Sequence, residues 1–209
     1  MQRFDIITET DARVLARGET VMLARGGHIT PLAADTLRDR RVQVIHEGGV
    51  SPEDSSLAPR AQIRSIAIGS DHTGVLLRRK LVTFLRGRGL TVHDVGGEEG
   101  VAADYPDVAA SVATSVTRGE SDAGIVIDGA GIGSAIAANK VAGIRAAMCT
   151  NETLARYSRE HNGTNVLTLG STLVTADEAM SIVATWIATP MSEPRYIRRL
   201  AKIRDLERR

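Results

Sequence analysis

The sequence predicts an α/β protein: a doubly wound, five-stranded parallel sheet of Rossmann-like form, with a small N-terminal α/β module. Three observations point there. From Ile63 onward, short apolar runs alternate with helix-like segments. Read as five buried strands with helical crossovers, those runs imply a parallel sheet. A Gly-, Pro-, Ser- and charge-rich stretch, residues 47–62 (EGGVSPEDSSLAPRAQ), reads as a linker between two parts. The 209 residues fit one full domain plus a module at roughly 150 residues per domain.

Residues 1–46 form the predicted module. Thr8-Glu9-Thr10-Asp11 has the form of a capping box, so a helix runs through Ala12–Ala16 until Gly18 stops it. Thr20–Leu23 reads as a short strand. Thr30-Pro31 supplies an N-cap and first helical residue for Leu32–Arg40, and Val42–Ile45 reads as a second strand. So small a unit buries little apolar surface alone, which implies packing on the main domain or on a partner.

In the main domain, 63–209, the strand candidates are Ser65–Gly69, Leu90–Val95, Ala123–Ile127, Ile144–Cys149 and Val166–Leu169. Between them lie helical segments at Gly74–Arg88, Tyr105–Arg118, Gly133–Val141, Glu152–His161 and Ala176–Thr189. The tail, Ser192–Arg209, reads as a charged helix. Tyr196, Ile197, Leu200, Ile203 and Leu206 fall on one side of it, a spacing suited to docking on another surface such as a second subunit.

Composition excludes several classes. A net charge of +1 argues against a protein that coats nucleic acid. Aromatic residues, at 3%, are too few for stacking platforms. The single Cys149 rules out an intrachain disulfide framework and any metal site built on several thiolates. The start has no apolar core of signal-peptide length, and no run of about 18 apolar residues offers a membrane span. A cytoplasmic location is expected.

Ligands of open parallel sheets bind beyond the carboxyl ends of the strands. The five predicted strands are followed by Ser70-Asp71-His72-Thr73-Gly74, by Asp104-Tyr105-Pro106, by Asp128-Gly129-Ala130-Gly131-Ile132-Gly133-Ser134, by Thr150-Asn151, and by Gly170-Ser171-Thr172. Gly129, Gly131 and Gly133 let backbone amides approach an anion at a helix start. A dinucleotide site fits poorly, because G-x-G-x-G after the third strand is not the G-x-G-x-x-G spacing after the first. Glycines needed only for a tight turn are the plainer alternative.

The segments IAIGSDHTG, DYPD, DGAGIGSAIAANKVAGIRAAMCT, REHNGTNVLTLG and RYIRRL, in that order, resemble the ribose-5-phosphate isomerase B family, which includes the galactose-6-phosphate isomerase subunits. The resemblance covers residues 65–209. It implies aldose–ketose isomerisation of a sugar phosphate, ribose 5-phosphate/ribulose 5-phosphate or a close analogue, without metal or cofactor. By this resemblance Asp71 and His161 assist ring opening, and Gly129, Gly131 and Gly133 present amides to the enediolate oxygen. Tyr105 and Asn162 line the sugar pocket. His72, Arg195 and Arg199 face the phosphate. The family's site is shared between two subunits, which implies a homodimer or homotetramer.

The departures are specific. The family's usual base is a cysteine where this chain has Asp128. A usual threonine is Ala130, an alternative glutamate base is Ser134, and a frequent arginine is Thr172. Asp128 is therefore the candidate base, with burial expected to raise its pKa toward a useful value. The competing reading makes Asp128 a cap of the glycine turn. In that case the chain is a non-catalytic sugar-phosphate binder, or a half-site working beside a second isomerase-like subunit. His72 and His161 have their own plain readings, as a turn cap and as a helix end, and Arg195 and Arg199 that of a solvated charged face. The N-terminal segments ITETDARVLARG and HITPLAADTLRDRRVQVI resemble a short segment on enzymes associated with bacterial microcompartments. That resemblance implies docking to a microcompartment component and a place inside such a body. An ordinary extension covering a sheet edge is the alternative.

Overall fold

The computed structural model describes residues 1–96, 103–191 and 193–207. Val101 and Ala102 lie outside the described residues, as do Ser192, Arg208 and Arg209 of the tail. The chain divides into two compact units, Met1–Leu57 and Ala58–Arg209.

The first unit runs β1 (Arg3–Ile7), α1 (Glu9–Val14), β2 (Thr20–Ile29), α2 (Pro31–Asp39), β3 (Gln43–His46) and α3 (Pro52–Ser55). Its three strands are parallel, in the order β1-β2-β3. The sequence pattern misses β1 because only Ile7 of that strand is fully buried and the register shifts between Phe4 and Ile6. It also misses α3, one turn inside the expected linker, where the Ser51 hydroxyl accepts from the Asp54 amide at 2.9 Å. The capping box at Thr8 is present: the Asp11 carboxylate accepts from the Thr8 amide at 2.9 Å, and the Thr8 hydroxyl accepts from the Asp11 amide. Arg40 donates twice to the Leu15 carbonyl, at 3.0 and 2.7 Å, and so satisfies an acceptor that the end of α1 leaves open. Thr30 holds the N-cap position of α2 without a side-chain bond. Ile7, Ala12, Leu15, Val21, Leu23, Ala33 and Leu37 form this unit's core.

The second unit runs β4 (Ser65–Ser70), α4 (Val75–Gly87), β5 (Thr91–Asp94), α5 (Tyr105–Thr117), β6 (Ala123–Asp128), α6 (Ile132–Ala138), β7 (Ala146–Met148), α7 (Glu152–Asn162), β8 (Val166–Gly170), α8 (Ala176–Ala188) and α9 (Pro194–Glu207). Its five strands are all parallel, in the order β5-β4-β6-β8-β7. Alternating residues of β4 and β6 feed two cores. Ile66, Ile68, Ile125 and Ile127 pack with Leu81 and Leu85 of α4 and with Ile182 and Trp186 of α8. Ala67 and Val126 pack with Val108 and Val112 of α5 and Ala138 of α6. Both faces of the sheet are thus covered, which explains the largely apolar runs of β4, β6 and β8. Gly69 and Gly124 let α5 lie close, since a Cβ at either would come within 2.6 Å of Val108 or Val112.

The chain leaves β4 for β5 on one side and returns for β6 on the other. The order therefore reverses between β4 and β6, the point where doubly wound sheets open a crevice. In α9, Tyr196, Ile197 and Leu200 are buried within this unit, whereas Ile203 and Leu206 stay 42% and 62% exposed. The expected docking face is thus split, its first half spent inside the fold. No helix among the described residues is long and apolar enough to cross a membrane.

Removing the Thr8 hydroxyl leaves the Asp11 amide of α1 without its cap. Thr8→Ala is expected to cost about 1 kcal/mol. Native-state hydrogen exchange should show faster exchange in the first unit and an unchanged second unit.

Candidate active site

The strand register sets the centre of the site. Ser70 pairs with Ile127, and the Asp71 amide donates to the Ile127 carbonyl at 3.1 Å. Asp71 and Asp128 therefore stand beside one another at the ends of neighbouring central strands, about 4.8 Å apart along the backbone. The two residues are 7% and 5% exposed.

The two carboxylates are engaged differently. Asp128 Oδ1 accepts from the Ala130 amide at 2.8 Å and from the Gly131 amide. Its Oδ2 accepts from the Ser134 amide at 2.9 Å and from the Ser134 hydroxyl. Burial by itself pushes this carboxyl up. The Ser134 hydroxyl and the Gly131, Ser134 and Ala130 amides together outweigh it and hold Asp128 below the usual carboxylate range. The expected rise toward a useful base is corrected here: burial arrives together with four donors. Asp71 uses one oxygen only, Oδ1, which accepts from the Thr73 amide (2.9 Å), the Thr73 hydroxyl (2.6 Å) and the Gly74 amide (3.3 Å).

The glycine turn wraps the Asp128 carboxylate. Gly131 adopts φ +74°, and a Cβ there would meet the Leu169 carbonyl carbon at 2.9 Å and the Gly170 nitrogen at 3.0 Å. Its amide points at Asp128, so Gly131 is not a free donor for an enediolate, contrary to the expectation from resemblance. The amides of Gly129 and Gly133 donate to no group among the described residues. The Tyr105 ring covers the helix start so closely that a Cβ on Gly133 would come within 2.6 Å of it. His72 is exposed beside them. Thr172, which stands where the family's arginine was expected, donates its hydroxyl to the Gly129 carbonyl at 2.7 Å.

The remaining candidates lie elsewhere. α7 follows its N-cap Asn151, beyond the carboxyl end of β7, and runs 11 residues back across the sheet, about 16 Å. Gly163–Asn165 then enters the amino end of β8, where the Asn165 carbonyl accepts from the Gly124 amide. His161 and Asn162 are therefore at the opposite edge from Asp71 and Asp128 within one chain. The His161 ring is stacked on Tyr157 at 4.7 Å and lies against Tyr196 at 4.6 Å. The Arg195 and Arg199 guanidiniums converge on the same Tyr196 ring at 4.6 and 5.5 Å. A groove of about 530 Å³ opens beside them, lined by Asn162, Ser158, Arg145 and Ile203 among others. Cys149 is buried, its thiol pushed up by burial, and it lies outside both groups.

Sequence reasoning missed Ser134 as the donor to Asp128, Thr73 as the partner of Asp71, and the two tyrosines around His161. Only the last left a signal: Tyr157 and His161 are four apart on one helix.

The family model described as Ribose/Galactose Isomerase matches residues 66–203. The chain belongs to that family. It is 42% identical over 147 residues to ribose-5-phosphate isomerase B of Escherichia coli (strain K12), covering 70% of this chain and 99% of that protein. It is 38% identical over 127 residues to D-erythrulose-4-phosphate isomerase of Pectobacterium atrosepticum, covering 59% and 82%. Among solved structures, ribose-5-phosphate isomerase B of Clostridium thermocellum superposes with a TM-score of 0.68 at 49% identity, over 69% of this chain and 97% of that one. The first 57 residues lie outside the family match.

The Asp128 carboxyl titrates lower folded than unfolded. Its stabilisation is full above the unfolded value of about 3.9 and fades as pH falls through the folded value. Asp128→Asn should lower stability by about 1–3 kcal/mol at neutral pH. Thermal melts between neutral and acid pH should then converge on wild type at the acid end.

Proposed function

We propose that this protein interconverts an aldose phosphate and its ketose, with ribose 5-phosphate and ribulose 5-phosphate or a close analogue as the substrate pair. The observation that carries this reading is the pair of buried carboxylates at the switch point of an isomerase-family sheet, beneath a turn with free Gly129 and Gly133 amides. A carboxylate beside C1 and C2 can move a proton, and the free amides suit the oxyanion that develops. Tyr105 walls the sugar pocket and His72 takes part in holding the phosphate. No metal or cofactor is needed for such a transfer.

One chain holds only half of this arrangement. His161 and Asn162 for ring opening and sugar contact, and Arg195 and Arg199 for the phosphate, are at the other edge of the sheet. A second copy, related by two-fold symmetry, brings its far edge to this chain's carboxylates and closes two equal sites. Exposed Ile132 and Ile136, one turn apart on α6 beside the glycine turn, suit such a contact. The N-terminal unit fits a docking role toward a partner such as a microcompartment component.

Subunit mixing tests the shared site. Asp71→Ser and His161→Ala are each expected to be inactive. Co-assembled, half the dimers are mixed and each mixed dimer has one intact site, so activity recovers to about one quarter of wild type. Absence of recovery in verified mixed dimers contradicts a shared site.

Asp128's filled acceptors favour one second reading, a sugar-phosphate binder without turnover. It predicts a rise in Tm with ribose 5-phosphate and no ketose product. Turnover by wild type excludes it.

A further inference from the structure

We infer that Asp71, not Asp128, carries the proton between C1 and C2, and that Asp128 is a positioning residue that shapes the turn. This rests on the isomerase reading above. A general base needs an accessible lone pair aimed at the substrate. A carboxylate has about four lone-pair sites, and in Asp128 all four face donors of its own turn. Taking a proton there would break at least one of these bonds. Asp71 has the opposite division: three donors fix Oδ1, and Oδ2 has no hydrogen bond among the described residues. The three donors come from Thr73 and Gly74, just ahead of α4, so they orient the carboxylate without consuming its second oxygen.

Position supports the same assignment. Asp71 neighbours Asp128 across the β4–β6 register, on the crevice side of the sheet. The loops that carry both are tied together, the Ser171 amide donating to the Asp128 carbonyl at 2.8 Å and the Ser171 hydroxyl to the Thr73 hydroxyl at 3.4 Å. Asp128 thus stands where it can fix the turn while the free oxygen beside it reaches the sugar. His72, the next residue, is exposed and is aligned by no such set of donors among the described residues.

Asp71 Oδ2 takes the proton from C2 of the open-chain aldose. The C2–H electron pair becomes the C1–C2 double bond, and the carbonyl pair moves onto O1, giving the enediolate. The O2 proton passes to O1. The O2 lone pair then reforms a carbonyl at C2, the double-bond pair takes the proton from Asp71 at C1, and the carboxylate is restored.

An open-chain substrate separates this role from ring opening. An aldotetrose 4-phosphate cannot close a furanose, because its O4 is esterified; ribose 5-phosphate can. Deuterium exchange at C2 is measured by NMR on both sugars for wild type, Asp71→Asn, Asp71→Ser and Asp128→Asn. Serine retains a cap for the Thr73 amide, which guards against misfolding. Binding of a phosphorylated aldonate, whose carboxylate resembles the enediolate, checks that each variant has kept its pocket. Both Asp71 variants should bind the aldonate within about tenfold of wild type and lose exchange at least a thousandfold on both sugars. Asp128→Asn should lose about ten- to hundredfold and keep the acid limb of the wild-type pH profile of kcat/KM. Exchange of the tetrose phosphate by Asp71→Ser at near wild-type rate would limit Asp71 to ring opening and overturn the assignment. So would complete loss in an aldonate-binding Asp128→Asn. Silence of the wild type on both sugars contradicts the isomerase reading, and this assignment with it.

Discussion

Four donors of one turn converge on the Asp128 carboxylate, and the shape of the crevice depends on that convergence. Buried amides must be paired, and here three of them, from Ala130, Gly131 and Ser134, find their acceptor in a single side chain. The turn can then be tight enough for Gly131 to lie against the backbone of Leu169 and Gly170. Thr168 locks it from below, its hydroxyl donating to the Gly131 carbonyl at 2.7 Å. A charge inside a protein is costly unless it is hydrogen-bonded, and this one is fully so. The same saturation that makes Asp128 a good structural anion makes it a poor proton acceptor.

The second constraint is direction. In a parallel sheet each helix carries the chain from the carboxyl edge back to the amino edge. A residue at the end of α7 is therefore held away from residues at the end of β4 or β6. His161, Arg195 and Arg199 gather around Tyr196 at that far edge and form a cluster of their own. In the proposed shared site this cluster serves a second copy, and Ile132 and Ile136 of α6 are exposed beside the glycine turn that would receive it.

Much of this was legible in the sequence, for identifiable reasons. β4, β6 and β8 show themselves because burial on both faces leaves mostly apolar runs, and the cap at Thr8 because its partner Asp11 is local. β1 stays hidden because four of its five residues are not fully buried. The motifs named Asp71, Asp128 and His161 as one site, and chain direction alone already separates the third from the first two. What sequence cannot carry is the state of Asp128. Burial and hydrogen bonding shift a carboxyl in opposite senses, and only the folded turn shows that Ser134 supplies two of the four donors.

The most direct test of the account is the proton spectrum of ribose 5-phosphate incubated with the wild-type protein in deuterated water. The C2 proton signal should disappear while ribulose 5-phosphate accumulates to equilibrium. A C2 signal that persists, with the protein folded and the sugar bound, would contradict it.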